Sequence, residues 1–227
     1  METRIDTIET RSLSEQVYQH LCTRIIEGGI GYGETLNIKR IALRLSVSPM
    51  PVREAVKRLE NEGIVQIKPR STCLVKEPTK TSILNAMELR EILETYSAAK
   101  RASGGSAIAL DGLAAIVKRM KEEASKDPDQ EVLRAYIALD RQFHAEICRL
   151  SGNQYIDKCY REVSLHLNMQ FLFDIAVAPD TLSTVDEHEG IFHALEQGSE
   201  GVKELMRQHL RKSRANIMES RLFASLK

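Results

Sequence analysis

The sequence predicts a mainly α protein in two parts, an N-terminal winged helix-turn-helix followed by an all-α antiparallel helical bundle. Three observations predict it. The first 76 residues carry apolar periodicities in the order helix, helix, tight turn, helix, hairpin. Beyond residue 80 the apolar stripes keep the helical period, are separated by Gly, Pro, Ser and Asp breakers, and include no convincing strand pattern. Basic side chains also crowd into residues 36–76.

Ser12 to Gly29 reads as the first helix. Val17, Leu21 and Ile25 recur every four residues with Tyr18, Cys22 and Ile26 beside them, Ser12 and Glu15 have capping-box spacing, and Gly28-Gly29 close the segment. A second, short helix starts from Asn37 as N-cap, burying Ile38, Ile41, Ala42 and Leu45 and exposing Lys39, Arg40 and Arg44. After the turn at Ser46-Val47, Ser48 is an N-cap and Pro49 suits the first helical position; Val52, Val56 and Leu59 form the buried stripe as far as Gly63. Arg53 and Lys57 point away from that stripe. Ile64 to Lys68 and Cys73 to Lys76 then read as two short strands around the basic tip Pro69-Arg70-Ser71-Thr72.

The chain as a whole has zero formal charge, but residues 36–76 set nine cations against three anions, a net +6. Such an excess suits a polyanion, because each phosphate neutralised releases condensed counterions. In a winged helix-turn-helix the third helix enters the major groove and the hairpin reaches the backbone, and the basic residues fall on those elements. Among these basic residues the expected DNA contacts are Lys39, Arg40, Arg53, Lys57 and Arg70.

Residues 1–76 are thus read as the DNA-binding domain. Glu77-Pro78-Thr79 is the expected hinge, in a linker over 77–80, since the residue before proline is pushed out of the helical region. Residues 81–227 form the helical domain, with helices over roughly Thr81–Ser103, Ala107–Ser125, Asp129–Ser151, Gln154–Ala176, Thr181–Gln197 and Glu200–Phe223. Gly104-Gly105, Asp127-Pro128, Ser151-Gly152, Pro179 and Gly198 supply the breaks.

Three of these helices interrupt their apolar stripes with metal-ligand side chains. The stripe Leu133, Tyr136, Ile137, Asp140, Phe143, His144, Ile147 places an aspartate and a histidine four apart, on one face; His188 sits among Val185, Ile191, Phe192 and Leu195, and His209 among Val202, Met206 and Leu210. A lone histidine on an apolar face is commonly a hydrogen-bonded core residue, and an ionised aspartate buried without a partner costs several kcal/mol, roughly. Four such residues together point to a divalent transition metal, with zinc as first choice and nickel, iron or manganese as alternatives. His20, His166 and His193 lie off the pattern.

No stretch approaches the roughly 18 consecutive apolar residues of a membrane span, and the opening METRIDTIETR lacks the apolar core of a leader, so a cytoplasmic protein is expected. Cys22, Cys73, Cys148 and Cys159 include no CxxC pair and are expected to be reduced thiols.

The segments LSEQVYQHLCTRIIEGGI and LNIKRIALRLSVSPMPVREAVKRLENEGIVQIKPRSTCLV resemble the DNA-binding domain of GntR-family transcription regulators, most specifically through PVREAVKRLENEG. That resemblance implies DNA contacts from Lys39 or Arg40, Ser48 and Arg53, and a homodimer on a palindromic operator. Pro49 departs from it, standing where many members carry a DNA-touching arginine, and Ser71-Thr72 replace a common Arg-Gly in the wing. DRQFHAEI, EHEGIFHALEQG and MRQHL resemble the metal-binding FCD ligand domain of the FadR-type subfamily, which implies Asp140, His144, His188 and His209 as ligands. The RxxLE element Arg90, Leu93, Glu94 and the Ser-Gly-Asn at 151–153 fit the same domain.

One aspartate and three neutral imidazoles leave a divalent ion with net positive charge and open positions, which favours an anionic oxygen ligand. The expected function is a DNA-binding transcription regulator, not an enzyme, modulated by a small carboxylate effector, with Arg90 as a candidate carboxylate clamp. The alternatives are a repressor that senses the metal itself and, further off, a metal-dependent hydrolase; the latter lacks an obvious general base beyond the ligands.

Overall fold

The structure, a computed structural model, describes residues 12–26, 29–68, 72–127, 129–171 and 184–226. The chain divides into two compact units, Met1–Glu77 and Pro78–Lys227.

In the first unit α1 (Leu13–Ile26) lays Val17, Tyr18, Leu21, Cys22 and Ile25 against α3 (Pro49–Asn61), whose own stripe of Val52, Ala55, Val56 and Leu59 is almost fully shielded. The Glu15 amide donates to Ser12 Oγ at 3.2 Å, one arm of the expected capping box. Between them α2 (Ile38–Arg44) starts under Asn37, whose side chain accepts from the Arg40 amide at 3.0 Å. Ser46 takes φ 54 in the turn between α2 and α3, a left-handed conformation that lets the two helices of the motif meet in so few residues. The hairpin pairs β1 (Val65–Lys68) with β2 (Thr72–Val75) antiparallel, Val65 opposite Val75 and Lys68 opposite Thr72. Its tip, with Arg70, lies outside the described residues. Arg58 binds this unit together: its guanidinium lies 3.6 Å over the Tyr18 ring and pairs with Glu15 at 2.5 Å and Glu62 at 3.1 Å.

The second unit is a helical bundle of α4 (Lys80–Ala102), α5 (Asp111–Ala124), α6 (Gln130–Arg149), α7 (Gln154–Phe171), α8 (Val185–Glu196), α9 (Val202–Glu219) and the short α10 (Arg221–Ser225). A reciprocal capping box of Thr79 and Ser82 opens α4, which packs against α6, α7, α8 and α9. The core is built from Leu113 and Met120 of α5, Tyr136, Phe143 and Ile147 of α6, Ile191 of α8, and Val202 and Met206 of α9. Gly198 closes α8 with φ 62, and a Cβ there would meet the Ala102 carbonyl oxygen at 3.2 Å.

Several element ends shift by a residue or two from the sequence expectation, and two differences stand out. α5 begins at Asp111, four residues later than Ala107. The last helix is two, because Ser220 leaves helical geometry (ψ 149) and caps α10 by accepting from the Phe223 amide at 3.1 Å; this turns Leu226 onto Ile83, Ala86 and Met87. The expected end of the fourth bundle helix at Ala176 and start of the next at Thr181 lie outside the described residues.

Candidate functional site

α6, α8 and α9 bring Asp140, His144, His188 and His209 together, with one ligand atom from each lying within 4.8 Å of the others. His144, His188 and His209 are 1%, 0% and 7% exposed. Asp140 is less enclosed than its place in the stripe suggested, keeping 31% of its side-chain surface. Phe143 walls the site, its ring edge-on to His188 at 4.5 Å and to His144 at 5.3 Å.

The imidazole orientations follow from what holds each Nδ1. That of His188 is 2.7 Å from the Thr184 carbonyl oxygen, which can only accept, so Nδ1 carries the proton and Nε2 presents a lone pair. The Nδ1 of His209 donates to Glu187 Oε2 at 2.7 Å. That hydrogen bond, with help from Lys212, pulls the Glu187 carboxyl down to about 2, whereas burial presses His209 down to about 4; a neutral imidazole therefore faces an ionised carboxylate. The Nδ1 of His144 lies 2.5 Å from Glu94 Oε2. Burial opposes ionisation of Glu94, but His144 and Arg90 outweigh it and keep the carboxyl below its ordinary range. Arg90 Nε donates to the other Glu94 oxygen at 2.6 Å.

With all three Nδ1 atoms engaged outward, the three Nε2 atoms converge. His209 Nε2 and His144 Nε2 are 3.2 Å apart, and His188 Nε2, which makes no hydrogen bond, is 3.1 Å from Asp140 Oδ1. Nitrogen and oxygen atoms this close in a buried site share either a proton or a metal ion. Burial and Arg90 act to lower the His144 pKa, but the facing carboxylates Glu94 and Asp140 outweigh them and raise it. A backbone carbonyl or carboxylate behind each ligating imidazole is also the usual orienting arrangement of metal-bound histidine. The donor set fits a divalent transition metal.

The sequence reading named all four converging residues but none of the groups that orient them. Glu94 belongs to the RxxLE element without a role there; its position four residues after Arg90 was the available signal. Glu187 gave none, since only the packing of α8 on α9 aims it at His209. Arg90 itself is 5% exposed, so it lines the interior.

The expected DNA contacts Lys39, Arg40, Ser48, Arg53 and Lys57 are all exposed. Ser48 is the N-cap residue of α3 by backbone geometry, but its side chain makes no capping hydrogen bond, contrary to the expectation from its type. Lys57 pairs with Glu60 at 2.6 Å while remaining 64% exposed. Arg53 forms no ion pair among the described residues, which leaves its guanidinium available to an incoming partner. No helix among the described residues is long and apolar enough to cross a membrane.

Comparison with known proteins agrees with this division. Residues 13–75 match the family described as bacterial regulatory proteins, gntR family, and residues 85–212 match the FCD domain. The HTH-type transcriptional repressor RspR of Escherichia coli K12 is 23% identical over 215 residues, covering 93% of this chain and 92% of the relative. The gluconate operon transcriptional repressor of Bacillus subtilis 168 is 27% identical over 194 residues, covering 81% and 76%. Among solved structures, E. coli McbR/YncC superposes with a TM-score of 0.77 at 20% identity, covering 91% of this chain and 97% of that one. A regulator from Rhodococcus sp. RHA1 gives 0.74 at 21% identity, covering 93% and 100%. The chain belongs to the GntR family of transcriptional regulators, with a gntR DNA-binding domain followed by an FCD effector-binding domain.

Proposed function

We propose that this regulator binds a palindromic operator as a homodimer, and that a small carboxylate metabolite, bound at a divalent metal in the bundle, sets its affinity for DNA. The observation that carries the reading is the convergence of three Nε2 lone pairs and a carboxylate oxygen within 4.8 Å, each imidazole held from behind by its own acceptor. Asp140, His144, His188 and His209 would hold the ion. Zinc is the first choice for such an N/O donor set, with nickel, iron or manganese as alternatives. When bound, the metal supplies positive charge that no ligand fully cancels, which favours an anionic oxygen donor as effector.

Arg90 is the proposed second anchor. Its Nε is committed to Glu94, and the effector carboxylate would take the remaining edge of the guanidinium. In the DNA-binding unit, Lys39, Arg40, Ser48, Arg53 and Lys57 would meet the operator, with Arg70 at the wing tip. Effector binding would shift the bundle between two packings and so reorient the paired DNA-binding units about Glu77–Thr79. The relatives are named as transcriptional repressors and regulators, which supports a binding function over catalysis.

A second reading makes the metal itself the signal, and the close approach of His144 Nε2 and His209 Nε2 favours it, because metal occupancy alone would change the spacing of these two side chains on α6 and α9. Titration of DNA affinity against buffered free zinc, with and without a panel of small carboxylates, separates the two. A carboxylate-dependent change at constant metal supports the metabolite sensor. DNA affinity that follows free metal alone, with no carboxylate effect, would replace it with the metal sensor.

A further inference from the structure

The tip of α3 presents an unusual surface for a DNA-reading helix. Ser48, Pro49 and Met50 open it, and Pro51 follows at the third helical position. Prolines at 49 and 51 remove two of the four N–H groups that a helix start normally offers to phosphate or base acceptors. The side chain that projects between them is Met50, 65% exposed and unbranched, while Pro51 and Val52 turn inward and are buried.

Exposure of one apolar side chain is ordinary by itself, and Leu43 on α2 is 80% exposed. Position makes Met50 different. Met50, Arg53 and Lys57 stand at i, i+3 and i+7, on the face opposite the buried Val52, Val56 and Leu59. That face is the one a helix-turn-helix turns to the major groove, and its N-terminal residues are those that reach base edges. A thioether cannot donate to guanine O6 or accept usefully from adenine N6. It can pack on the one apolar group the major-groove edge displays, the C5-methyl of thymine, and its flexible chain suits that irregular surface.

We propose that Met50 is a specificity-determining residue that reads the 5-methyl group of a thymine in each operator half-site. The inference rests on α3 being the reading helix. Three residues of helix rise about 4.5 Å and successive base pairs about 3.4 Å, so the thymine lies within one or two base pairs of the base read by Arg53.

The test begins with duplexes selected from a random-sequence pool by the full-length protein. Each thymine of the selected site is then replaced by deoxyuridine, which removes only the methyl, and affinities are measured by fluorescence anisotropy. For the wild type, one deoxyuridine in a single half-site is expected to weaken binding about fourfold, the worth of one buried methyl group. Met50→Ala should lose that difference, binding thymine and deoxyuridine sites alike, and Met50→Leu should keep most of it. Being exposed, neither substitution disturbs the core. A wild type indifferent to deoxyuridine at every position, or a penalty that persists in Met50→Ala, overturns the proposal. Arg53→Ala in the same assay guards the premise: if it binds the selected duplex as tightly as wild type, the fault lies in the choice of α3 as reading helix, whatever Met50 does.

Discussion

The Nε2 atoms of His144 and His209 lie 3.2 Å apart, and each ring has its Nδ1 bonded to a glutamate, Glu94 behind one and Glu187 behind the other. Both glutamates favour the ionised form, and the facing Nε2 atoms can share one proton, held on His144, or one metal ion. Asp140 and His188 supply the remaining donors with which the four residues could hold a metal ion.

Metal removal should therefore loosen the bundle. A ligand present at a hundred times its dissociation constant stabilises the native state by about 2.7 kcal/mol, so chelation followed by dialysis should lower the melting temperature of the bundle by several degrees and zinc should restore it. His144→Ala is expected to abolish stoichiometric metal by elemental analysis. Full occupancy in that variant, or identical melting curves with and without chelator, would remove the site as drawn.

Glu94 is expected to act on the metal without touching it. Glu94→Gln keeps an acceptor for His144 Nδ1 but loses the charge that balances Arg90, and orienting groups of this kind change metal affinity by about 10–100-fold. Glu94→Ala should cost more, in the range of about 3–5 kcal/mol of stability, because Arg90 is left 5% exposed with no anion beside it. Competition of each variant with a chromogenic zinc chelator reads the first effect, and urea unfolding the second. An unchanged zinc affinity in Glu94→Gln would show that His144 needs no carboxylate behind it.

Two arginines of the same helix should separate cleanly. Arg58 is spent on Tyr18, Glu15 and Glu62, so Arg58→Ala is expected to destabilise the N-terminal unit by about 1–2 kcal/mol and to leave base preference alone. Arg53, exposed and unpaired among the described residues, should show the reverse. Arg53→Ala would cost about 1–3 kcal/mol of operator affinity and relax selectivity at one base pair, with no shift in melting temperature. Thermal melts and gel-shift titrations of both variants decide the assignment. Equal losses of affinity in the two would mean that charge, not position, accounts for the effect.

Periodicity carried much of the fold. The stripes Val17–Leu21–Ile25 and Val52–Val56–Leu59 bury the faces they predict, and Asn37 caps α2 as its residue type indicates, because apolar spacing and local hydrogen bonding act within a few residues of chain. The break at Ser220 was not legible: Ile217 continues the stripe of α9, and only the packing of Leu226 against Ile83 and Met87 explains why the helix turns there. At the candidate site, Asp140, His144, His188 and His209 stood out because a polar residue in an apolar stripe is a local anomaly.

By itself, then, the sequence determined the helix faces, the order of a winged helix-turn-helix and the identity of four polar side chains turned inward, all properties set by spacing along one segment. The tertiary structure alone decided that His144 leans on Glu94 and His209 on Glu187. Those partners lie 50 and 22 residues away. For His144 and His209, which ring nitrogen is left to point inward depends on contacts across helices that no periodicity along a single helix encodes, whereas His188 is oriented by the N-cap of its own helix.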